Sequence, residues 1–334
     1  MINSECGIAA MGFYLPEKEI PLLELAEKAG IPEFVAKFAG ARTVREAAAA
    51  ELPSQMAIKA AEAALQDGGI DPQEIDLIIY CGAGVPDYIL PPSAGRIQDA
   101  IGANRAMGYD LSQGCCGMLT AMQVAKAQIA LNEGCNTVML VTGDKWSQFT
   151  HHHTADSVFF GDGGGAIIIK KNHPDLQPIA SEIVTKGNYY DLWCVQAGGL
   201  CHPASGETLS QEMHTYKCID PERARHEFKD IYISVMAETV LESMKKAGIN
   251  RDQVSFFSMV NANLKVQEVL LAQLEIPLES SSANYLERFG HFGSQDTFFN
   301  LDQAVKDGKI SNGDYIVMLT TGIGFSWGSA VIRY

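Results

Sequence analysis

GGIDPQEIDLII (68–79) and AGINRDQVSFFS (247–258) read as one unit used twice: a glycine-ended helix, a turn, then an apolar strand. Gly69, Ile70 and Ile75 of the first copy recur as Gly248, Ile249 and Val254 of the second. A further pair, VMLVTG (138–143) and VMLTTG (317–322), repeats at the same offset of 179 residues, the spacing that separates Gly69 from Gly248. Two separate units at one offset make an internal repeat, and the chain is expected to consist of two homologous halves, 1–172 and 173–334. Helical periodicity in Ser54–Gln66 and Met118–Leu131 alternates with short apolar runs at Asp76–Tyr80 and Thr137–Thr142, which predicts a layered α/β fold. Strands that apolar need cover on both faces. Packing the halves about a pseudo-dyad provides it, in five layers, α/β/α/β/α. The repeat also makes a geometric prediction: position 115 plus the offset is 294, inside GHFGSQD (290–296), so the loops of Cys115 and His291 should meet.

Composition sets the limits. The chain has 334 residues, 47% hydrophobic and 19% charged, and its formal net charge is −15. That balance is globular and disfavours a nucleic-acid partner, whose phosphates need a basic surface. No apolar run is long enough for a membrane helix and no secretory signal is visible, so the expectation is no membrane partner and a cytoplasmic location. Eight cysteines with no CxxC spacing are expected to be free thiols.

YDLSQGCCG (109–117) places Cys115 where a strand gives way to an amphipathic helix starting near Cys116. At a helix N-terminus, unpaired N–H groups and the helix dipole favour a thiolate, and flanking glycines admit a substrate to the backbone. Cys115 is therefore the candidate nucleophile, with Cys116 a packing residue. In FGHFGSQD (289–296), His291 sits between glycines and Asp296 opens the next helix. A histidine beside a thiol can take its proton, and a carboxylate behind the ring fixes the tautomer. The plainer readings are a loop histidine and a helix cap. FFGDGGGA (159–166) is expected to be a structural tight turn between strands, because no P-loop lysine follows it. TGIGFSWGSAVIRY (321–334) should be a glycine turn and a strand whose N–H groups could form an oxyanion hole opposite Cys115. His151, His152 and His153 are consecutive and cannot converge on one ion, so a solvated loop and no metal are expected.

Taken with GFYLPE (12–17), PPSAGRIQ (91–98), NANLK (261–265) and the C-terminal GFSWGSAVIRY (324–334), these motifs make the whole chain resemble β-ketoacyl-acyl carrier protein synthase III. The resemblance implies a thiolase-fold homodimer whose cysteine, here Cys115, takes an acyl group from coenzyme A. It also implies an oxyanion hole from the backbone N–H groups of Cys115 and Ile323, and no permanently bound cofactor. The departures are specific. The family's His-Gln-Ala-Asn segment matches Val260-Asn261-Ala262-Asn263, so its histidine has become Val260, and His291 stands where the family has an asparagine. The resulting set Cys115, His291 and Asp296 is similar to that of synthase-III-like acyltransferases in antibiotic and polyketide pathways. The family's adenine-stacking tryptophan aligns with Phe34, an adjacent arginine with Phe38, and a carrier-protein-docking arginine with Lys265. The resemblance thus implies a secondary-metabolite acyltransferase moving an acyl group from a coenzyme A or acyl-carrier-protein thioester to a small-molecule hydroxyl, amine or thiol. The rival readings are decarboxylative Claisen condensation and a non-catalytic subunit of a synthase heterodimer.

Overall fold

In the computed structural model, which describes residues 5–150 and 157–334, two sheets lie back to back. The first is built from β1 (Cys6–Tyr14), β2 (Leu77–Tyr80), β3 (Met107–Asp110), β4 (Thr137–Lys145) and β5 (Asp162–Lys171), in the spatial order β1-β5-β4-β2-β3. The second has β6 (Gln177–Thr185), β7 (Val254–Met259), β8 (Tyr315–Gly322) and β9 (Ser326–Arg333), ordered β7-β8-β9-β6. Read from the other end, the second sheet repeats the first without its edge strand β3. The sense of pairing agrees as well: β2 with β4 and β7 with β8 are parallel, and the next two pairs in each sheet are antiparallel.

Strand side chains alternate between the two faces. Leu77 and Ile79 of β2 point to the interior between the sheets, and Ile78 and Tyr80 point outward. The interior layer is filled by α3 (Gly117–Leu131) and α6 (Asp296–Lys306), whose Met118, Met122, Ile129, Phe298 and Leu301 are all at most 1% exposed. Outside the first sheet lies α2 (Pro53–Gly68), with an alanine face (Ala57, Ala60, Ala61, Ala64) that lets helix and sheet approach closely. Outside the second lie α4 (Lys229–Ala247) and α5 (Leu264–Leu274), packed on Phe257, Val317 and Trp327. The five-layer α/β/α/β/α thiolase fold is therefore present. The starts of α3 and α6, Gly117 and Asp296, are again separated by the repeat offset.

One sequence expectation is corrected. The glycines of FFGDGGGA are not a turn; Gly163, Gly164 and Gly165 lie inside β5, all three paired to β4 and the last two also to β1. Their missing side chains serve close packing. A Cβ at Gly164 would sit 2.4 Å from the Met56 carbonyl oxygen on α2, and one at Gly165 would sit 2.6 Å from Cβ of Gln295. His151–His153 lie outside the described residues. All eight cysteines are free. Among the described residues, no helix is long and apolar enough to cross a membrane.

Candidate active site

Strand β3 ends at Asp110, and the chain reaches α3 through one turn of 3-10 helix, Gly114–Cys116. Gly114 takes φ 53°, which a glycine tolerates without strain. The turn is fastened to the other half of the molecule. Thr320 Oγ1 donates to the Cys115 carbonyl at 3.0 Å, Gln113 Nε2 donates to Ser326 Oγ at 3.2 Å, and the Cys116 thiol donates to the Ser326 carbonyl at 3.1 Å. Cys116 thus faces the β8–β9 hairpin, fully buried, and burial drives its thiol pKa far up. Cys115 faces the other way, into a cavity.

The histidine loop between Phe289 and Asp296 is held by its backbone. His291 N–H donates to Phe159 O at 3.2 Å and Gly161 N–H donates to His291 O at 2.7 Å. Gly290 and Gly293 on either side take φ 68° and 127°. This places His291 Nε2 at 3.4 Å from Cys115 Sγ, and its Nδ1 at 2.5 Å from Asp296 Oδ2. Asp296, 1% exposed, is the first residue of α6. Its Oδ2 also accepts from Asn261 N–H at 2.8 Å, and its Oδ1 accepts from Phe292 N–H at 3.1 Å.

The three residues form one chain of contacts, all at most 3% exposed. Burial by itself pulls the His291 pKa down. The Asp296 carboxylate and the Cys115 sulfur, each a charge partner and a hydrogen-bond partner, overcome burial and hold it well above its ordinary value. His291 therefore favours its protonated form.

The backbone N–H groups of Cys115 and Ile323 make no backbone hydrogen bonds among the described residues. The two segments that carry them interlock. A Cβ on Gly114 would lie 2.8 Å from Ile323 N, and one on Gly322 would lie 3.1 Å from Cys115 N. Two neighbouring glycines thus keep both donors accessible.

Around Cys115 and His291 lies a cavity of about 370 Å³. Its walls include Phe159, Phe160, Trp193, Tyr216, Phe228 and Phe325, and Val260 and Ile323 also line it. Among the described residues, His291 is its sole ionisable lining besides thiol and phenol groups. Sequence reasoning found Cys115, His291, Val260 and Ile323 but missed these aromatic walls, as well as Tyr232, Thr321 and the buried Asp144. Phe34 and Lys265 do not line the cavity. Phe34, on α1 (Glu33–Ala39), is 72% exposed, and Lys265 pairs with Glu268 at 2.8 Å. They lie on neighbouring elements: a Cβ at Gly40, which caps α1, would be 2.4 Å from Cβ of Leu264, the first residue of α5. Asn263 and Val266, on either side of Lys265, do reach the cavity.

Comparison with known proteins identifies the family. The family model for 3-oxoacyl-[acyl-carrier-protein (ACP)] synthase III matches residues 109–187, and the model for its C-terminal part matches 244–334. The chain is 31% identical over 303 residues to β-ketoacyl-[acyl-carrier-protein] synthase III of Roseiflexus sp., covering 90% of each chain. It is 28% identical over 331 residues to the enzyme of that name from Desulfitobacterium hafniense, covering 98% of this chain and 97% of the other. The solved structure of the Thermus thermophilus β-ketoacyl-[acyl carrier protein] synthase III superposes with a TM-score of 0.85 at 26% identity, over 98% of this chain and 99% of that one. With its cysteine loop, its pseudo-dyad sheets and this degree of identity across nearly its full length, the chain belongs to the β-ketoacyl-[acyl-carrier-protein] synthase III family of enzymes.

Proposed function

We propose that this enzyme is an acyltransferase that carries an acyl group on Cys115 and passes it to an oxygen, nitrogen or sulfur nucleophile. The observation that carries the reading is the buried relay from Cys115 Sγ to His291 Nε2 (3.4 Å) and from His291 Nδ1 to Asp296 (2.5 Å). With the proton on His291, the Cys115 thiolate attacks a thioester carbonyl and the carbonyl oxygen becomes an oxyanion between the N–H groups of Cys115 and Ile323. As the tetrahedral state collapses, the donor's C–S bond breaks and His291 gives its proton to the departing thiolate. The acyl-enzyme no longer has a sulfur anion beside the ring, so one of the two charges that held the proton is gone while burial still opposes it. His291 is then a neutral base. It takes the proton of an incoming O–H, N–H or S–H as the new bond to the acyl carbon forms. Collapse releases the product and the Cys115 thiolate, with the proton on His291 as at the start. Asp296 stabilises the imidazolium in both halves of the cycle.

The donor in this reading is a coenzyme A or acyl-carrier-protein thioester. Phe34 and Lys265 are proposed as contacts to that donor on the outer side of the cavity. The steps call on no metal and no redox cofactor.

Decarboxylative condensation is the second reading, favoured by the name that the relatives carry. It requires the enolate left by carbon dioxide to be stabilised near the sulfur. Val260 offers no donor there, and His291 is already bonded to Asp296. One missing oxyanion donor costs about 3 kcal/mol, roughly a hundredfold in rate. The test is intact mass of the protein after incubation with acyl thioesters, followed by candidate acceptors, with malonyl thioesters run in parallel. Transfer without carbon dioxide supports the proposal. Carbon dioxide release matched by a new carbon–carbon bond overturns it in favour of condensation.

A further inference from the structure

Within the aromatic cavity two hydroxyl groups meet. Tyr232, on α4, and Thr321, near the end of β8, both line it, and Tyr232 Oη lies 3.0 Å from Thr321 Oγ1. Each belongs to a different layer, the helix outside the second sheet and the sheet itself, so their meeting is a product of the tertiary fold. Thr321 immediately precedes the Gly322–Ile323 segment that approaches Cys115. The tyrosine is half-buried and lines the cavity. Its hydroxyl is sunk among apolar groups, and burial, with the nearby Cys115 and Cys116 sulfurs, pushes its pKa up to about 12. It therefore stays a neutral donor and acceptor through the physiological range.

The hydrogen-bond count is informative. Two hydroxyls carry two hydrogens, and one contact uses one of them. Among the described residues no further partner meets either oxygen. One O–H thus remains to be donated, and lone pairs remain to accept, in a space otherwise walled by Phe159, Phe160, Phe228, Phe325 and Val260. A purely hydrocarbon occupant would drive water from that O–H and offer nothing in exchange, and stranding a buried donor is costly. An occupant with its own hydroxyl or oxo group would close the network. Charge is disfavoured, since among the described residues no cationic side chain other than His291 faces the space.

We infer that the Tyr232–Thr321 hydroxyl pair is a specificity element that selects uncharged acyl groups bearing a hydroxyl or oxo substituent, with a single-ring aroyl group the member of that class that the aromatic walls suit best. The inference rests on the Cys115 acyl-enzyme reading given above. It extends that reading from the bond that is formed to the group that is carried. Flat rings meet the surrounding aromatic side chains in edge-to-face or offset contact, a preference that a saturated chain lacks. The substituent then decides among rings.

The test uses the N-acetylcysteamine thioesters of benzoate, its three monohydroxy isomers and acetate, which bypass any requirement for coenzyme A or a carrier protein. Acylation of Cys115 is followed by intact mass against time. For the native enzyme, at least one hydroxybenzoyl isomer should acylate about tenfold faster than benzoyl at equal subsaturating concentration, the equivalent of one net hydrogen bond. In Tyr232→Phe that ratio should fall towards one, and Thr321→Val should reduce it in the same direction. Thermal melting of both variants shows whether they are folded. Equal rates for benzoyl and every hydroxybenzoyl in the native enzyme would overturn the inference, as would a preference that survives in Tyr232→Phe. Failure of all four aroyl groups while acetyl still labels Cys115 overturns the substrate class and leaves the acyl-enzyme reading intact. Failure of acetyl as well sinks both.

Discussion

Asp144 is fully buried near the end of β4, under the histidine loop, and no lysine or arginine pairs with it among the described residues. Its Oδ1 accepts from Ala83 N–H at 2.8 Å and Gly84 N–H at 2.7 Å, and its Oδ2 accepts from Thr142 Oγ1 at 3.1 Å. Burial outweighs these bonds and the attraction of His291, and pushes its pKa from 3.8 up to about 6. A carboxyl raised in this way favours its protonated form in the folded state. The native state therefore pays nothing for it below the unfolded value, loses stability as pH climbs through the window from 3.8 to about 6, and carries the full penalty above that. The interval corresponds to about 3 kcal/mol. Asp144→Asn removes the charge and keeps an oxygen for Ala83 and Gly84. It also puts an amide nitrogen where Oδ2 was. The buried Gln295 Oε1 has no hydrogen-bond partner, and both it and Asp144 Oδ2 crowd Gly293, at 2.8 and 2.2 Å from where a Cβ there would be. The new amide can donate towards it. The expected outcome is a variant more stable than the native protein by up to about 3 kcal/mol at pH 7.5, with the gain falling to about half near pH 5. Urea unfolding of both proteins at each pH measures it, and the difference between them isolates this carboxyl from the other titrating groups. A gain that does not change with pH, or a variant less stable at pH 7.5, would refute the reasoning.

Three further outcomes follow from the site. Iodoacetamide at neutral pH should alkylate Cys115 ahead of Cys116, whose thiol burial holds protonated, and acyl labelling should vanish in Cys115→Ala but persist in Cys116→Ala; peptide mapping decides. Asp296→Asn should lower the alkylation rate of Cys115 at pH 7 by about ten- to a hundredfold, the loss of one charge-assisted bond. Because Asp296 raises the His291 pKa, the remaining thiolate should form only at higher pH, so the pH–rate profile must move upward; an unmoved profile contradicts the relay. Gly293→Ala should abolish activity or folding, since its Cβ would fall 2.2 Å from Asp144 Oδ2 at a backbone φ of 127°, and circular dichroism with the labelling assay separates the two.

The sequence was informative where chemistry and periodicity coincide locally. Cys115 between Gly114 and Gly117, and His291 between Gly290 and Gly293, are visible because functional loops need glycine where backbone must turn or be approached. The offset between VMLVTG and VMLTTG was legible because β4 and β8 are central strands buried along most of their length, so their apolar runs are uninterrupted. The cavity walls were not legible. Trp193 and Tyr216 sit at the two ends of an excursion, Trp193 in and Tyr216 just before two short strands that pair with each other (Trp193 with Cys218, Lys217 with Cys194), and nothing in the repeat marks it. Phe159 and Phe160 read as part of a structural turn, and only the bond from Gly161 N–H to the His291 carbonyl shows them beside the ring. The Gly163–Gly165 run was misread because glycine clusters signal turns locally, whereas here what they accommodate, α2 and Gln295, is distant in sequence.

The pseudo-dyad gives the site its electrostatic form. Gly117 and Asp296 begin equivalent helices, and each helix N-terminus presents partial positive charge to whatever lies before it. In the first half that charge meets the Cys115 sulfur, and in the second it meets the Asp296 carboxylate. The repeat has therefore produced two anion-favouring positions facing one another, with room between them for one cation. His291 fills that place, 3.4 Å from one and 2.5 Å from the other. A histidine so placed is charged when both neighbours are charged and becomes a base when one of them is acylated. A neutral donor at the same position would leave the two anions without a counter-charge. On the acyltransferase reading proposed above, valine at 260 and histidine at 291 belong to one arrangement, in which His291 hands its proton to a leaving thiolate and then takes one from an acceptor.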